Sequence, residues 1–172
     1  MFLQLDVLAL RKPVDEGLSD LLHAIAGRTE SISEPIVVGD MHVSDWSLFD
    51  SPEPLLRKQH DELQGITSSM LKGPVRIYES WFHIARSGSA FGRHRHAVPE
   101  AGANQGFKFS LVYYVDRGDP NGTGQFRLLE PDLTLSPESG MILVFPAYVE
   151  HEVLEYRGER DRIIIGANFQ LG

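Results

Sequence analysis

The second half of the chain alternates between short apolar, aromatic-rich segments and turns that contain glycine or proline. The segments cover residues 75–85, 107–115, 125–129, 141–145, 152–156 and 162–169. Runs of this length, bounded by Gly and Pro, are typical of β-strands that reverse at each turn. Short strands bury their apolar sides by stacking into two sheets or by closing into a barrel. The sequence therefore predicts a mainly β fold, a β-sandwich or jelly roll.

Two amphipathic segments in the first half predict helices packed outside this β core. Residues 14–27 carry leucine and isoleucine at helical spacing, with acidic residues in the expected first turn. The second helix is expected to have Ser51 as its N-cap and Pro52 at its first helical position. We expect residues 1–73 to form a helical N-terminal support and residues 74–172 to form the jelly-roll core.

The composition limits the classes of protein to which this chain can belong. A length of 172 residues fits a single domain, 1–172, with room for a full core. The net charge of −8 and the sequence pI of about 5.3 argue against a surface that binds nucleic acid or anionic lipid. The absence of cysteine excludes disulfide and thiolate chemistry. Because neither a secretory signal nor an apolar run near the ~20 residues of a membrane span is found, we expect a cytoplasmic protein.

Three histidines form the most specific chemical pattern in the sequence. His94 and His96 stand one residue apart before the aromatic segment 107–115, and His151 stands at the start of another expected strand. Side chains two apart in an extended strand project from the same face, so the pair is expected to point together into the barrel. Neutral imidazole is a ligand for iron, zinc, copper and nickel. We therefore expect His94, His96 and His151 to bind one metal ion.

Arg162 begins an apolar segment 11 residues after His151, a separation at which a hairpin would return it close to the metal. A guanidinium inside a barrel requires an anion, since an unpaired buried charge costs several kcal/mol, and its planar fork matches a carboxylate. A metal ion together with a deep arginine suits a dicarboxylate 2-oxo acid. Tyr114 is expected to donate its hydroxyl to the same carboxylate. Arg160 is the alternative residue for binding this carboxylate. The alternative role of Arg162 is a surface ion pair with a nearby glutamate.

Several motifs of segment 81–169 carry a resemblance to a known superfamily. They are Trp81-Phe-His-Ile, His94-Arg-His96, Ser110-Leu-Val-Tyr-Tyr-Val115, Gly140-Met-Ile-Leu-Val-Phe-Pro146, His151-Glu-Val153 and Arg162-Ile-Ile-Ile. In this order and spacing they resemble the Fe(II)/2-oxoglutarate-dependent dioxygenases, most of all the small oxygenases of bacteria and phages, and the later motifs are similar to the prolyl-hydroxylase branch.

This resemblance implies a double-stranded β-helix, a jelly-roll or cupin-like barrel, with the two helices outside. It further implies that iron is held by His94, His151 and the residue at 96, and that Arg162 and Tyr114 hold 2-oxoglutarate. The implied reaction couples oxidative decarboxylation of 2-oxoglutarate to oxidation of an unknown substrate. That substrate is expected to be a small molecule or a peptide, with neither nucleic acid nor a membrane as partner, and a homodimer is compatible with the prediction.

His96 departs from the wider superfamily, in which many members carry Asp or Glu at this place. Three interpretations stay open: the three imidazoles hold the metal, Glu100 supplies a carboxylate, or the site binds metal poorly. Three neutral ligands would leave Fe(II) with more net positive charge.

Two other functions are consistent with the same residues. The spacing around the histidine pair is similar to the first cupin motif, and the run that ends at His151 is similar to the second. A cupin-type metalloprotein would bind Mn, Fe, Ni or Zn without a 2-oxo acid, through His94, His96, Glu100 and His151. This hypothesis gives Arg162 no task. A non-catalytic β-barrel binding module is the third hypothesis.

The remaining sequence features are expected to play supporting roles. Asn168 is expected to line the barrel without an assigned function, and residues 118–124 to form a hairpin turn. The substrate is expected to meet the loops at 28–50 and 97–106. Four further histidines are expected to be structural or surface residues, namely His23, His42, His60 and His83.

Overall fold

Two antiparallel β-sheets pack face to face in the computed structural model, which describes residues 7–97 and 107–172. The strands are β1 (Leu8–Arg11), β2 (Val37–Val38), β3 (Met41–Val43), β4 (Val75–Ala85), β5 (Ser89–His94), β6 (Lys108–Asp116), β7 (Phe126–Leu129), β8 (Asp132–Leu135), β9 (Met141–Pro146), β10 (His151–Tyr156) and β11 (Arg162–Leu171). The helices are α1 (Leu18–Ala26) and α2 (Pro54–Leu71), with a short 3₁₀ helix at Leu48–Asp50. The six-stranded sheet has the order β1-β9-β6-β11-β4-β3, and the five-stranded sheet has the order β2-β5-β10-β7-β8.

The six-stranded sheet has two chemically different faces, because successive side chains of a strand point to opposite sides. Along β11, Ile163, Ile165 and Phe169 lie in the apolar core that the helices complete. The alternate residues Arg162 and Ile164 line the space between the two sheets. The same alternation runs through β4 and β6, so one face of this sheet carries the main core and the other faces a cavity.

Both helices cover the outer face of the six-stranded sheet, as the sequence predicts. Leu18 and Leu22 of α1 and Leu56 and Leu63 of α2 are fully buried against it. Removing side chains of this size from water stabilises a fold by about 1.5–3 kcal/mol each. The mainly β architecture with two helices packed outside is therefore confirmed. None of the helices in the described part of the chain has the length and apolarity needed to cross a membrane.

The predicted helix starts are wrong by a few residues. α1 begins at Leu18 rather than near residue 14, since Gly17 in the left-handed region, with φ 79°, separates the helix from the acids before it. In α2 the first helical residue is Pro54, and Ser51 is extended. The Ser51 hydroxyl accepts the backbone N–H of Glu53, which places its turn ahead of the helix.

Several short strands were not predicted, and two connections differ from expectation. β2, β3, β5 and β8 are short or polar segments that gain their strand character from pairing with other strands. Residues 118–124 do not form a hairpin turn, because they lead from β6 in one sheet to β7 in the other. Nor does a hairpin return Arg162 to the metal site, since β10 and β11 also belong to different sheets.

Asp15 joins the start of α1 to α2, and its carboxylate gives the fold a predicted dependence on pH. It accepts hydrogen bonds from Lys58, from Gln59 at 2.6 Å and from Lys12 at 3.3 Å. The bonds from Lys58 and Gln59 lower the pKa of Asp15 from 3.8 to about 2. The stabilisation is therefore present above about pH 4, where the unfolded carboxyl is also ionised, and is lost as the pH falls towards 2.

We expect Asp15→Asn to lower the free energy of unfolding at pH 7 by about 1–2 kcal/mol, because the charge-assisted bonds are lost from a largely buried position. Urea denaturation at a series of pH values should show this difference shrinking below pH 4. Asp61→Asn, at an exposed carboxylate of α2, should change the free energy of unfolding by less than about 0.5 kcal/mol. A difference for Asp15→Asn that stayed constant from pH 7 to pH 2.5 would contradict the assignment.

Candidate metal centre

The three predicted histidines meet at the edge of the cavity between the sheets. His94 is the last residue of β5 and His151 is the first residue of β10, and the two are directly opposite in the antiparallel ladder. His96 lies just beyond the end of β5 rather than on it. Its backbone N–H and that of Ala97 both donate to the carbonyl of Ala147, at 2.8 and 3.0 Å, which holds the residue beside the strand ends.

The ring nitrogens of these residues are close enough to share an ion. One ligand nitrogen from each of the three rings lies within 4.8 Å of the others. The Nε2 atoms of His96 and His151 are 3.2 Å apart. At metal–nitrogen distances of about 2.0–2.1 Å, two nitrogens on one ion are about 3.0 Å apart at a right angle and about 3.4 Å apart at a tetrahedral angle. The observed separation lies between these two values.

Backbone carbonyls fix which nitrogen of two of the rings carries the proton. Nδ1 of His94 is 2.8 Å from the carbonyl oxygen of Gly92, and Nδ1 of His151 is 2.9 Å from that of Val149. A carbonyl only accepts hydrogen bonds, so the proton of each ring is on Nδ1 and the lone pair is on Nε2. Each ring is thereby oriented with a ligand atom towards the cluster, the support that metal-binding imidazoles characteristically receive.

The surroundings of the cluster favour neutral imidazole. Trp81 stacks on His96 with ring centroids 5.2 Å apart, and Phe145 meets the His151 ring at 4.8 Å. Burial, followed by repulsion from the neighbouring His94, lowers the pKa of His96 to about 3 and that of His151 to about 2. Burial also lowers the pKa of His94. Because a metal ion competes with protons for the same nitrogens, rings that stay neutral are available for it over a wide pH range.

A cavity of about 270 Å³ opens next to the three histidines. Its walls are largely apolar and aromatic, and come from both sheets. Trp46, with 40% of its surface exposed, lies at the opening together with Glu34 and Arg95. Within the sheets the wall residues are Met41, Trp81, His83, Ala85, Phe91, Val112, Tyr114, Phe126, Val153, Arg162 and Ile164. Three imidazoles, a guanidinium and a phenol thus line one small, largely apolar space.

Arg162 is buried without an acidic partner, which contradicts the alternative of a surface ion pair. Only 4% of the residue is exposed, and no carboxylate of residues 7–97 or 107–172 forms an ion pair with it. Its guanidinium donates to the carbonyls of Arg117 at 2.8 Å, Thr123 at 3.1 Å and Gly124. The guanidinium carbon lies 4.2 Å from the centre of the Tyr156 ring. These contacts orient the group and leave its charge uncompensated, and two of its five N–H donors stay free for a ligand.

Gly124 is required for this arrangement. Its φ of +66° is in the left-handed region, and a Cβ built there would lie 2.0 Å from Nη1 of Arg162. Residues 118–124, expected to form a hairpin turn, therefore supply, together with Arg117, the backbone carbonyls that hold the guanidinium. Sequence patterns did not show this, because every residue carries a carbonyl group.

The other predicted site residues have separate outcomes. Tyr114 is fully buried, faces the same cavity as Arg162, and has its pKa raised by burial. Arg160 lies outside the cavity, where its exposed side chain pairs with Asp116 at 2.7 Å, so it is not placed to bind the carboxylate. Glu100 lies outside the described residues.

Two further polar residues lie near the cluster. His83, expected to be a structural or surface residue, lies on β4 and lines the cavity, stacked on Phe91 with ring centroids 5.0 Å apart. Asn168, expected to line the barrel, lies on β11, accepts a hydrogen bond from Ser110 at 2.8 Å, donates to Glu79 at 2.8 Å and lies 3.5 Å from Nδ1 of His96. The alternation of β4 is the signal that could have placed His83 on the cavity side.

Comparison with known proteins identifies the fold but no close relative. No protein-family model matches the sequence, and no curated protein matches it either. Solved structures with a similar fold include the viral collagen prolyl hydroxylase of Paramecium Bursaria Chlorella virus-1 in complex with 2OG, with TM-score 0.72, 10% identity and 96% of each chain covered. HygX from Streptomyces hygroscopicus with nickel and 2-oxoglutarate bound has TM-score 0.66 and 12% identity over 96% of this chain and 82% of that chain. An oxidoreductase of the 2OG-Fe(II) oxygenase family from Burkholderia pseudomallei has TM-score 0.65 and 18% identity over 95% and 84% of the two chains.

These similarities confirm the predicted double-stranded β-helix. Each of them covers almost all of this chain, including the helical N-terminal part. The identities, at or below 18%, establish a shared fold, while the chemistry of the present chain has to be argued from its own residues.

Trp81 lies flat against Gly166, its neighbour on β11, and this contact supports the ring of His96. A Cβ built at Gly166 would lie 2.3 Å from Cε2 of the indole. We expect Gly166→Ala to displace the indole and to lower the free energy of unfolding by about 1–3 kcal/mol, as overpacking does in cores. Denaturation followed by tryptophan fluorescence measures both effects.

The matched control is Gly65→Ala in α2, where an added Cβ meets no atom within 4 Å. That substitution should raise the free energy of unfolding by about 0.5–1 kcal/mol, since alanine is the better helix former. If both variants behaved alike, the packing of Trp81 on Gly166 would not matter for stability.

Proposed function

We propose that this protein is a non-haem Fe(II)- and 2-oxoglutarate-dependent dioxygenase that oxidises a small molecule or a peptide in the cytoplasm. The observation that carries the proposal is that three imidazole Nε2 atoms and an uncompensated guanidinium border the same small cavity. A metal site alone would suit many functions. A metal site facing an unpaired buried cation calls for a ligand that is both a chelator and an anion.

His94, His96 and His151 are the residues that would hold the iron. The Nε2 atoms of His96 and His151 are 3.2 Å apart, a separation at which they can share a proton in a hydrogen bond or bind one ion, so the donor set fits a metal ion. No carboxylate of the described residues joins the cluster. Three neutral ligands leave the full 2+ charge on the ion, and the carboxylate at the keto-acid end of 2-oxoglutarate would offset one unit of it.

Arg162 and Tyr114 are the residues that would hold the far carboxylate of 2-oxoglutarate. The guanidinium retains two N–H donors, and the Tyr114 hydroxyl, protonated at any physiological pH, adds a third. An anion placed there removes the cost of a buried unpaired charge, which is several kcal/mol. A monocarboxylate bound to the metal would leave the charge of Arg162 without a counter-ion, and for this reason we favour a dicarboxylate.

When bound at this centre, iron supplies the O₂-dependent oxidation in which 2-oxoglutarate and O₂ yield succinate and CO₂ and one oxygen atom passes to the substrate. The chain's own contribution is binding, orientation and exclusion of water. The aromatic walls keep the cavity dry, which strengthens each electrostatic contact within it. Trp46, Glu34 and Arg95 at the opening are the residues that a substrate would meet first.

The similar structures support the proposal through what they contain. The viral prolyl hydroxylase was solved with 2OG and HygX with nickel and 2-oxoglutarate. A cupin-type protein would share the barrel and the metal, but the proposal of an oxygenase accounts for Arg162, which a cupin would leave without a role.

The first test measures metal binding and 2-oxoglutarate binding separately, with Mn(II) in place of Fe(II), by titration calorimetry. We expect wild type to bind Mn(II) and then 2-oxoglutarate. Arg162→Ala should weaken 2-oxoglutarate binding about 100-fold, because roughly 2.7 kcal/mol of charge-assisted bonding is lost, and should leave Mn(II) affinity unchanged. Arg160→Ala, at the exposed neighbouring arginine, is the matched control and should alter neither. Binding of Mn(II) without any affinity for 2-oxoglutarate would favour the cupin, and binding of neither would favour the non-catalytic module.

A second test decides which residue completes the metal site. We expect His96→Ala to weaken Mn(II) binding at least 10-fold, because one of three ligand nitrogens is removed, and Glu100→Gln to leave it within about twofold. His60→Ala, at a histidine of α2 remote from the cavity, controls for loss of any imidazole. The reverse ranking, with Glu100→Gln impaired and His96→Ala unaffected, would assign the third ligand to Glu100.

A further inference from the structure

His83 is a half-buried imidazole of β4 with a ring nitrogen that has no hydrogen-bond partner in the described part of the chain. That nitrogen, Nε2, is shielded from solvent. The ring borders the cavity and stacks on Phe91. An imidazole left in this state costs about 1–3 kcal/mol relative to an apolar ring. Packing alone would be served better by phenylalanine, so the nitrogen atoms need another explanation.

The register of the sheet places His83 between the metal cluster and Arg162. On β11, Ile164 is paired with His83 of β4 on one side and with Tyr114 of β6 on the other. Arg162 lies two residues further along β11, about 6.8 Å away at the usual rise of a strand. Gly166 lies two residues in the other direction and pairs with Trp81, which stacks on His96.

A ligand that reaches from the metal to Arg162 therefore passes the row formed by His83, Ile164 and Tyr114. Ile164 forms the floor of this passage, and the two polar rings flank it. Burial lowers the pKa of His83, so its ring is neutral and has one N–H to donate. Arg162 lies next to this row along β11, and a neutral donor assists an anion there without adding a second buried positive charge.

We propose that His83 is a positioning residue for the co-substrate: its N–H donates a hydrogen bond to the far carboxylate of the 2-oxo acid, opposite Tyr114 and one row from Arg162. The inference rests on the proposed function and deepens it, because it assigns part of the selectivity for a dicarboxylate to a histidine that the sequence predicts to be a structural or surface residue. A 2-oxo acid without a far carboxylate, such as pyruvate, makes no contact with His83.

The test compares His83→Phe with wild type, each loaded with Mn(II). Phenylalanine keeps the ring on Phe91 and removes both nitrogens. We expect 2-oxoglutarate affinity to fall about 10-fold, the loss of one hydrogen bond to a charged group, while affinities for Mn(II) and for pyruvate stay unchanged. The midpoint of thermal unfolding without ligand should rise, because an unpaired buried polar group has been removed. His83→Gln, which restores a hydrogen-bond donor, should recover part of the 2-oxoglutarate affinity. Its midpoint of thermal unfolding without ligand should not rise above that of wild type.

The matched control is His42→Phe. His42 is also buried and stacked on a phenylalanine, Phe82, with ring centroids 5.5 Å apart, but it does not line the cavity. This variant should bind 2-oxoglutarate as wild type does. If wild type and His83→Phe bound 2-oxoglutarate with equal affinity, the inference would be overturned while the proposed function would stand. The same conclusion would follow if both His83 variants lost affinity for pyruvate and for 2-oxoglutarate in parallel. A wild type that binds Mn(II) but no 2-oxoglutarate would overturn the proposed function and this inference with it.

Discussion

The pairing of β11 with β4 on one side and β6 on the other is the interaction on which both the fold and the site depend. Ten residues of β11 lie in this ladder. Ile163, Ile165 and Phe169 complete the core beneath the helices, and Arg162 and Ile164 face the cavity. A shift of the register by one residue would bring Arg162 under the helices and Ile163 into the cavity. The site is thus specified by the same hydrophobic alternation that specifies the sheet.

The sequence was sufficient to predict the elements that carry their own hydrophobic pattern. β4, β6, β9 and β11 are apolar over most of their length, and both helices show a clear apolar stripe, so each was found within a few residues. β5 was missed because its residues, from Ser89 to His94, are small or polar apart from Phe91 and become a strand through pairing with neighbouring strands. The assignment of strands to two sheets was also beyond the pattern, since it depends on contacts between residues far apart in the chain.

The same division applies to the candidate site. Histidine spacing and the following arginine are local signals, and they led to His94, His96, His151 and Arg162. The carbonyls that orient Arg162 have no side-chain signature, and His83, although it lies in the Trp81-Phe-His-Ile motif, was expected to be a structural or surface residue. These groups gain their meaning only from the folded arrangement. A buried arginine was foreseeable, but not that it would be held by backbone oxygens rather than by an acid.

The three imidazoles are attached to the scaffold with unequal stiffness. His94 and His151 face each other across one rung of a ladder, and the carbonyls of Gly92 and Val149 hold their rings. His96 follows the strand, suspended from the single carbonyl of Ala147. His94 and His151 are therefore held by strand pairing and by a hydrogen bond to each ring, whereas His96 is held through its backbone. Ions of different radius, or an ion that changes its coordination number, would be accommodated by a movement of His96, while His94 and His151 keep their positions.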